Sequence, residues 1–107
     1  MIKVIYYRNY HRVTVEGHAM SGEPGHDLVC ASASILTYTL AANVLNMKDN
    51  DQVRDTFTAM DEGKAEVSCT PRHNLRNSVT LIYDSICAGF ELLAHQYPDN
   101  ISYEIHA

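Results

Sequence analysis

Residues 17–40 read GHAMSGEPGHDLVCASASILTYTL, and the fold turns on how that stretch divides. Its opening Gly17 closes a polar–apolar alternation, RVTVEG at 12–17, which reads as a strand. Met20, Ser21, Gly22, Glu23, Pro24, Gly25 and His26 then read as a flexible loop, with two glycines and a proline as breakers. Asp27 suits a helix N-cap. From 28 to about 47, Ile35, Leu36, Leu40, Val44, Leu45 and Met47 recur at helical spacing with alanines between them. Few charges appear before Lys48, so this helix is expected to be buried on most sides, in the domain or against another subunit.

Working outward, Ile2 to Tyr7 is β-branched and aromatic and predicts a strand. Arg8-Asn9-Tyr10 is a plausible turn into the returning strand, whose Val13 and Val15 belong on the buried face. Downstream, KDNDQ at 48–52 is a solvated connection. Residues 53–60 alternate weakly, as an edge strand does. Asp61-Glu62-Gly63 signals a turn, and 64–69 alternates with Ala65, Val67 and Cys69 inward. Thr70-Pro71 marks a boundary and suits a helix start. A second helix is predicted over 73–97, with Leu75, Val79, Ile82, Ile86, Phe90 and Leu93 as its apolar stripe and Pro98 as its stop. Residues 101–105 alternate and make a last strand. The order β-β-α-β-β-α-β predicts one α+β domain over 1–107, a mostly antiparallel sheet with two long helices packed on it. Long helices over few strands leave apolar surface that a homodimer would cover.

The bulk properties narrow the function. The chain has 107 residues, 46% of them hydrophobic, enough to build a core without disulfides or metal. Its uninterrupted apolar runs fall short of the roughly 20 residues that span a bilayer. The first residues lack a secretory leader's apolar core and cleavage site, so the cytoplasm is the expected compartment and no membrane partner is expected. Three widely spaced cysteines make a poor disulfide framework and suit reducing conditions. A net charge of −5 argues against direct nucleic-acid binding and is compatible with a basic protein partner.

The chemistry concentrates at Cys30. A lone cysteine is ordinarily a small buried hydrophobe, and Cys69 and Cys87 read that way. Cys30 instead follows a glycine-rich loop and a capping residue, in the expected first turn of a helix. Exposed N–H groups and the helix dipole there favour a thiolate. His18, at a strand end, is a candidate base, and His26 is a rival nearer in sequence. Asp27 reads as a cap or as an orienting group for the histidine. Ser34, one turn after Cys30, reads as a small packing residue or a hydrogen-bond partner near the sulfur. No Cys-x-x-Cys or His-x-x-x-His pair is present, so neither a zinc site nor a thioredoxin-like redox site is expected, and no cofactor is implied.

Gly17-His18-Ala19, a glycine-containing loop, Asp27-Leu28-Val29-Cys30-Ala31 and Ser34 together resemble the ribosomal-processing cysteine protease family called Prp. That family's pattern is roughly Gly-His-Ala, a loop, Asp-Ile-Val-Cys-Ala and a serine four residues after the cysteine. Leu28 stands where isoleucine is usual. The segment Gly89 to Ala94 with Tyr97-Pro98 is similar to the family's second helix and its end. The resemblance implies a homodimeric cytoplasmic endopeptidase that removes the N-terminal extension of large-subunit ribosomal protein number twenty-seven. It implies Cys30 as nucleophile and His18 as general base, with Gly17, Asp27 and Ser34 in support and Met20 to His26 as a cover over the substrate. Two rival readings predict different properties. A non-catalytic module would bind the ribosomal protein without cleaving it, and a small-molecule cysteine hydrolase would have a narrow closed pocket.

Overall fold

The computed structural model describes residues 1–17 and 26–107, the side chains of His26 and Asp27 apart. Five strands form one sheet: β1 (Ile2–Tyr7), β2 (Arg12–Glu16), β3 (Val53–Asp61), β4 (Lys64–Pro71) and β5 (Ile101–His106). Their order across the sheet is β3-β4-β2-β1-β5. Two long helices, α1 (His26–Asp49) and α2 (Arg76–Gln96), complete the predicted β-β-α-β-β-α-β order, and the fold is α+β. The β1–β2, β2–β4 and β3–β4 pairings are antiparallel, while β1 and β5 run parallel from Ile2↔Ile101 to Tyr7↔His106.

Period-two alternation sorts the strand residues between the two faces. Ile2, Val4, Tyr6, Val13, Val67, Cys69 and Ile101 are buried beneath the helices, α1 over β3 and β4 and α2 over β5. The opposite face carries polar ladders instead. Arg12 donates to Glu66 at 3.0 Å and lies over the Tyr7 ring, and Lys64 pairs with Glu16. These exposed pairs contribute at most about 1 kcal/mol each, so the core dominates stability.

The helices depart from expectation in informative ways. α1 begins at His26, earlier than predicted, so His26 opens the helix instead of belonging to the loop. Asp27 therefore lies inside the first turn and is not the residue preceding it, as an N-cap would be. At the other end, Gln52 N–H donates to Met47 O and Asp51 N–H to Lys48 O, with Asp51 at φ 58°. That is a Schellman stop, and a left-handed residue there releases the chain into β3.

Within the domain α1 is not buried on most sides. Val29, Ala33, Leu40, Val44 and Met47 face the core, but Leu28, Ile35, Tyr38 and Leu45 are exposed. By length and composition α1 does pass for a membrane span, because Thr37, Thr39 and Asn43 interrupt its apolar runs without making it polar overall. Those side chains bond helix carbonyls one turn back, at Ala33, Ile35 and Thr39. One face packs on the sheet as in a core helix.

The predicted second helix divides into a 3-10 turn (His73–Leu75) and α2. Pro71 ends β4, paired with Val53, and does not open the helix. The buried stripe is Val79, Tyr83, Cys87, Phe90 and Leu93, one residue on from the predicted Ile82 and Ile86. Tyr83 faces inward because its hydroxyl finds the Val67 carbonyl at 3.4 Å and its ring packs near Tyr6. Where the helices cross, Leu36 of α1 sits over Gly89 of α2.

Candidate active site

At one end of the sheet, the end of β2, the β3–β4 turn and the first half of α1 enclose an open-sided cleft of about 450 Å³. Its walls include Cys30, Ser34, Thr37 and Tyr38 from α1, Val15 and Gly17 from β2 and the residue after it, Ile2 from β1, and residues 60–65 around the turn. The structure thus brings together Gly17, Cys30 and Ser34. His18 and residues 19–25, with the side chains of His26 and Asp27, lie outside the described part, although His18 is the chain neighbour of Gly17.

Gly17 is fixed by backbone geometry. Its φ is +104°, and a Cβ there would run into the backbone carbonyl oxygen of Met1. Its N–H donates to Gly63 O at 2.9 Å, so the end of β2 is tied to the β3–β4 turn across the cleft mouth. Gly63, at φ 76°, supplies the left-handed residue that this turn requires. The backbone entering His18 therefore leaves a fixed point.

Cys30 is the fifth residue of α1, at the start of its second turn and not in its first. Side chains on a helix lean toward its N-terminus, which carries the sulfur back toward the free N–H groups of the opening turn. All three cysteines are free thiols, but only Cys30 is partly exposed. Burial pushes the Cys69 thiol above its ordinary range and the Cys87 thiol up to about 12. Those two are packing groups, as expected, and Cys30 is the one cysteine that lines the cleft.

Sequence reasoning missed half of the cleft. Tyr38 was detectable, since it follows Cys30 and Ser34 on the same helix face at spacings of eight and four. Asp61, Glu62 and Lys64 were legible only as a turn and a strand start. Their place opposite α1 is a consequence of tertiary packing. Among the described residues, no group of three or more His, Cys, Asp and Glu is placed to hold a metal ion.

A crystal structure of the essential ribosomal processing protease Prp from S. aureus, in complex with a covalently linked product peptide, superimposes with a TM-score of 0.75. It shares 21% identity, over 99% of this chain and 100% of that one. The same protease with a substrate peptide gives a TM-score of 0.70 at 19% identity, over 98% and 97% of the two chains. SMU.848 from Streptococcus mutans gives 0.67 at 23% identity, over 97% and 90%. A sequence comparison with curated proteins gives no match. At these identities the solved structures establish the fold, and the family is decided by the sequence. The family model for cysteine protease Prp matches residues 1–102, nearly the whole length, and the chain belongs to that family of cysteine endopeptidases.

Proposed function

We propose that this protein removes the N-terminal extension of large-subunit ribosomal protein twenty-seven by acyl transfer through Cys30, with His18 as general base. The observation that carries the reading is the position of Cys30, the one partly exposed thiol, on the wall of a cleft large enough for a peptide and open at one side. Membership of the family and the motif at 17–34 support the choice of substrate.

In the proposed sequence, His18 takes the Cys30 proton and the thiolate attacks the scissile carbonyl. The free N–H groups of the first turn of α1 stabilise the oxyanion that forms. Protonated His18 then gives its proton to the leaving amine, and water attacks the thioester to release the acyl portion and regenerate the thiol. Ser34, one turn along on the same wall, is assigned a hydrogen bond near the sulfur. Asp27 is assigned the orientation of the histidine. Residues 20–26 are assigned the cover over bound substrate on the resemblance alone. Asp61 and Glu62, exposed at the rim, suit a basic protein substrate.

The protein is further proposed to act in the cytoplasm as a homodimer. Exposed Leu28, Ile35 and Leu45 on α1 supply apolar surface for a second copy. Sedimentation should give a dimer at micromolar concentration, and Ile35→Glu with Leu45→Glu should give a monomer. A wild-type monomer would remove the dimer from the proposal.

Mass spectrometry of the extended ribosomal protein after incubation tests the activity. The wild type should yield one new N-terminus and Cys30→Ala none. Cleavage by the variant would eliminate Cys30 as nucleophile. Intact substrate that nevertheless co-elutes with the wild-type protein would favour a binding module instead.

A further inference from the structure

A second pocket lies at the other end of the β3–β4 hairpin. Its volume is about 210 Å³, and Arg54, Thr70, Pro71, His73 and Arg76 line it. The nearest β4 residues lining the Cys30 cleft and this pocket, Ala65 and Thr70, stand five residues apart, about 17 Å of strand, and the two share no lining residue.

The charge at this pocket runs against the rest of the molecule. The chain carries −5 overall, and four of its cations are paired with carboxylates: Arg8 with Asp84, Arg12 with Glu66, Lys64 with Glu16 and Arg72 with Asp51. Of the four cations without a carboxylate partner among the described residues, Lys3, Lys48, Arg54 and Arg76, the two arginines both line this one pocket. Arg76 spends one N–H on the Asn9 carbonyl at 3.3 Å, which steadies the guanidinium and leaves its other donors open. The local backbone serves the same end. β3 carries one extra residue between Val53 and Thr56 relative to its partner, and this bulge takes Arg54 out of the regular alternation of the strand. No acidic residue occupies the first turn of α2, where Arg76 stands.

We propose that this pocket binds a phosphate group. Two arginines, a histidine and a threonine border a space of a size to hold one tetrahedral oxyanion with water. Guanidinium forks match phosphate oxygens in pairs. The phosphate belongs either to a small molecule or to an RNA backbone, and the chemistry of capture is the same for both.

Isotope-edited NMR of the full chain decides it. Inorganic phosphate should give saturable shifts at Arg54, His73 and Arg76, and sodium chloride at matched ionic strength should not. Arg54→Gln, which removes no side-chain hydrogen bond found among the described residues, should weaken phosphate binding at least several-fold. Adding Arg76→Gln should abolish it, with thermal unfolding as the check that the fold persists. A single-stranded RNA oligonucleotide that displaces phosphate would identify the backbone as the source, and failure to displace it would identify a small phosphorylated ligand. Shifts reproduced by chloride, shifts retained in Arg54→Gln, or no shifts at all would each overturn the proposal.

Discussion

Gly17→Ala is the most demanding test of how the cleft is built. The position has φ +104°, which L side chains rarely adopt, and forcing one there costs about 1–2 kcal/mol. The new methyl group would also meet the Met1 carbonyl oxygen, a backbone atom that cannot swing away as a side-chain tip does. Overpacking of that kind adds about 1–3 kcal/mol. The total of roughly 2–5 kcal/mol would lower the melting temperature of a domain this size by about 10 °C or more. Gly89→Ala is the matched control. There the nearest atoms the added methyl meets all belong to the Leu36 side chain, Cδ2 at 2.7 Å and Cδ1 at 3.2 Å, the far end of a flexible side chain. The gain in helix propensity of about 1 kcal/mol offsets that shift. Urea denaturation followed by circular dichroism measures both. Gly17→Ala should also lose peptide cleavage out of proportion to its fraction unfolded, because Val15 and Ile2 line the cleft beside it. Stability within about 0.5 kcal/mol of wild type, the range of an ordinary surface substitution, would refute the reasoning.

Native protein should take up one equivalent of a thiol reagent rapidly, at Cys30, and three after denaturation, and mass mapping of the labelled peptides will show it. Cys30→Ala should unfold within about 1 kcal/mol of wild type, since the side chain is only partly buried, while eliminating cleavage. His11 is buried, shares a 2.7 Å hydrogen bond with Thr80 Oγ1, and is held below its ordinary 6.5 by burial and then by Arg76 and Arg8. The unfolded chain therefore takes up a proton that the fold resists. The His11 contribution is present above about pH 6.5 and is lost as pH falls toward the lower folded value, so His11→Gln should flatten the urea midpoint across that window.

The order of elements was legible because each carries its own period, two in the strands and near 3.6 in the helices. Gly17, Cys30 and Ser34 were legible as a site because their separation in sequence is short. What escaped notice depends on distant partners. Tyr83 looks polar by type, yet the Val67 carbonyl and the sheet make it core. Ile35 and Leu45 look buried by type, but the sheet covers only one side of α1. The opposite wall of the cleft, residues 60–65, faces α1 only because β4 pairs with β2.

The parallel pairing of β1 with β5 also sets an order of events in time. β1 meets β2 across a short turn, but its second neighbour is nearly a hundred residues away, and Ile2 N–H donates to Asn100 O beside that strand. Closing so long a loop is slow and is rewarded only at the end. During synthesis β1 waits for 101–106 to emerge. Ile2 at the cleft floor and Met1 against Gly17 are locked only then. A growing chain thus holds an unfinished cleft, and proteolytic competence arrives only once β5 has paired with β1.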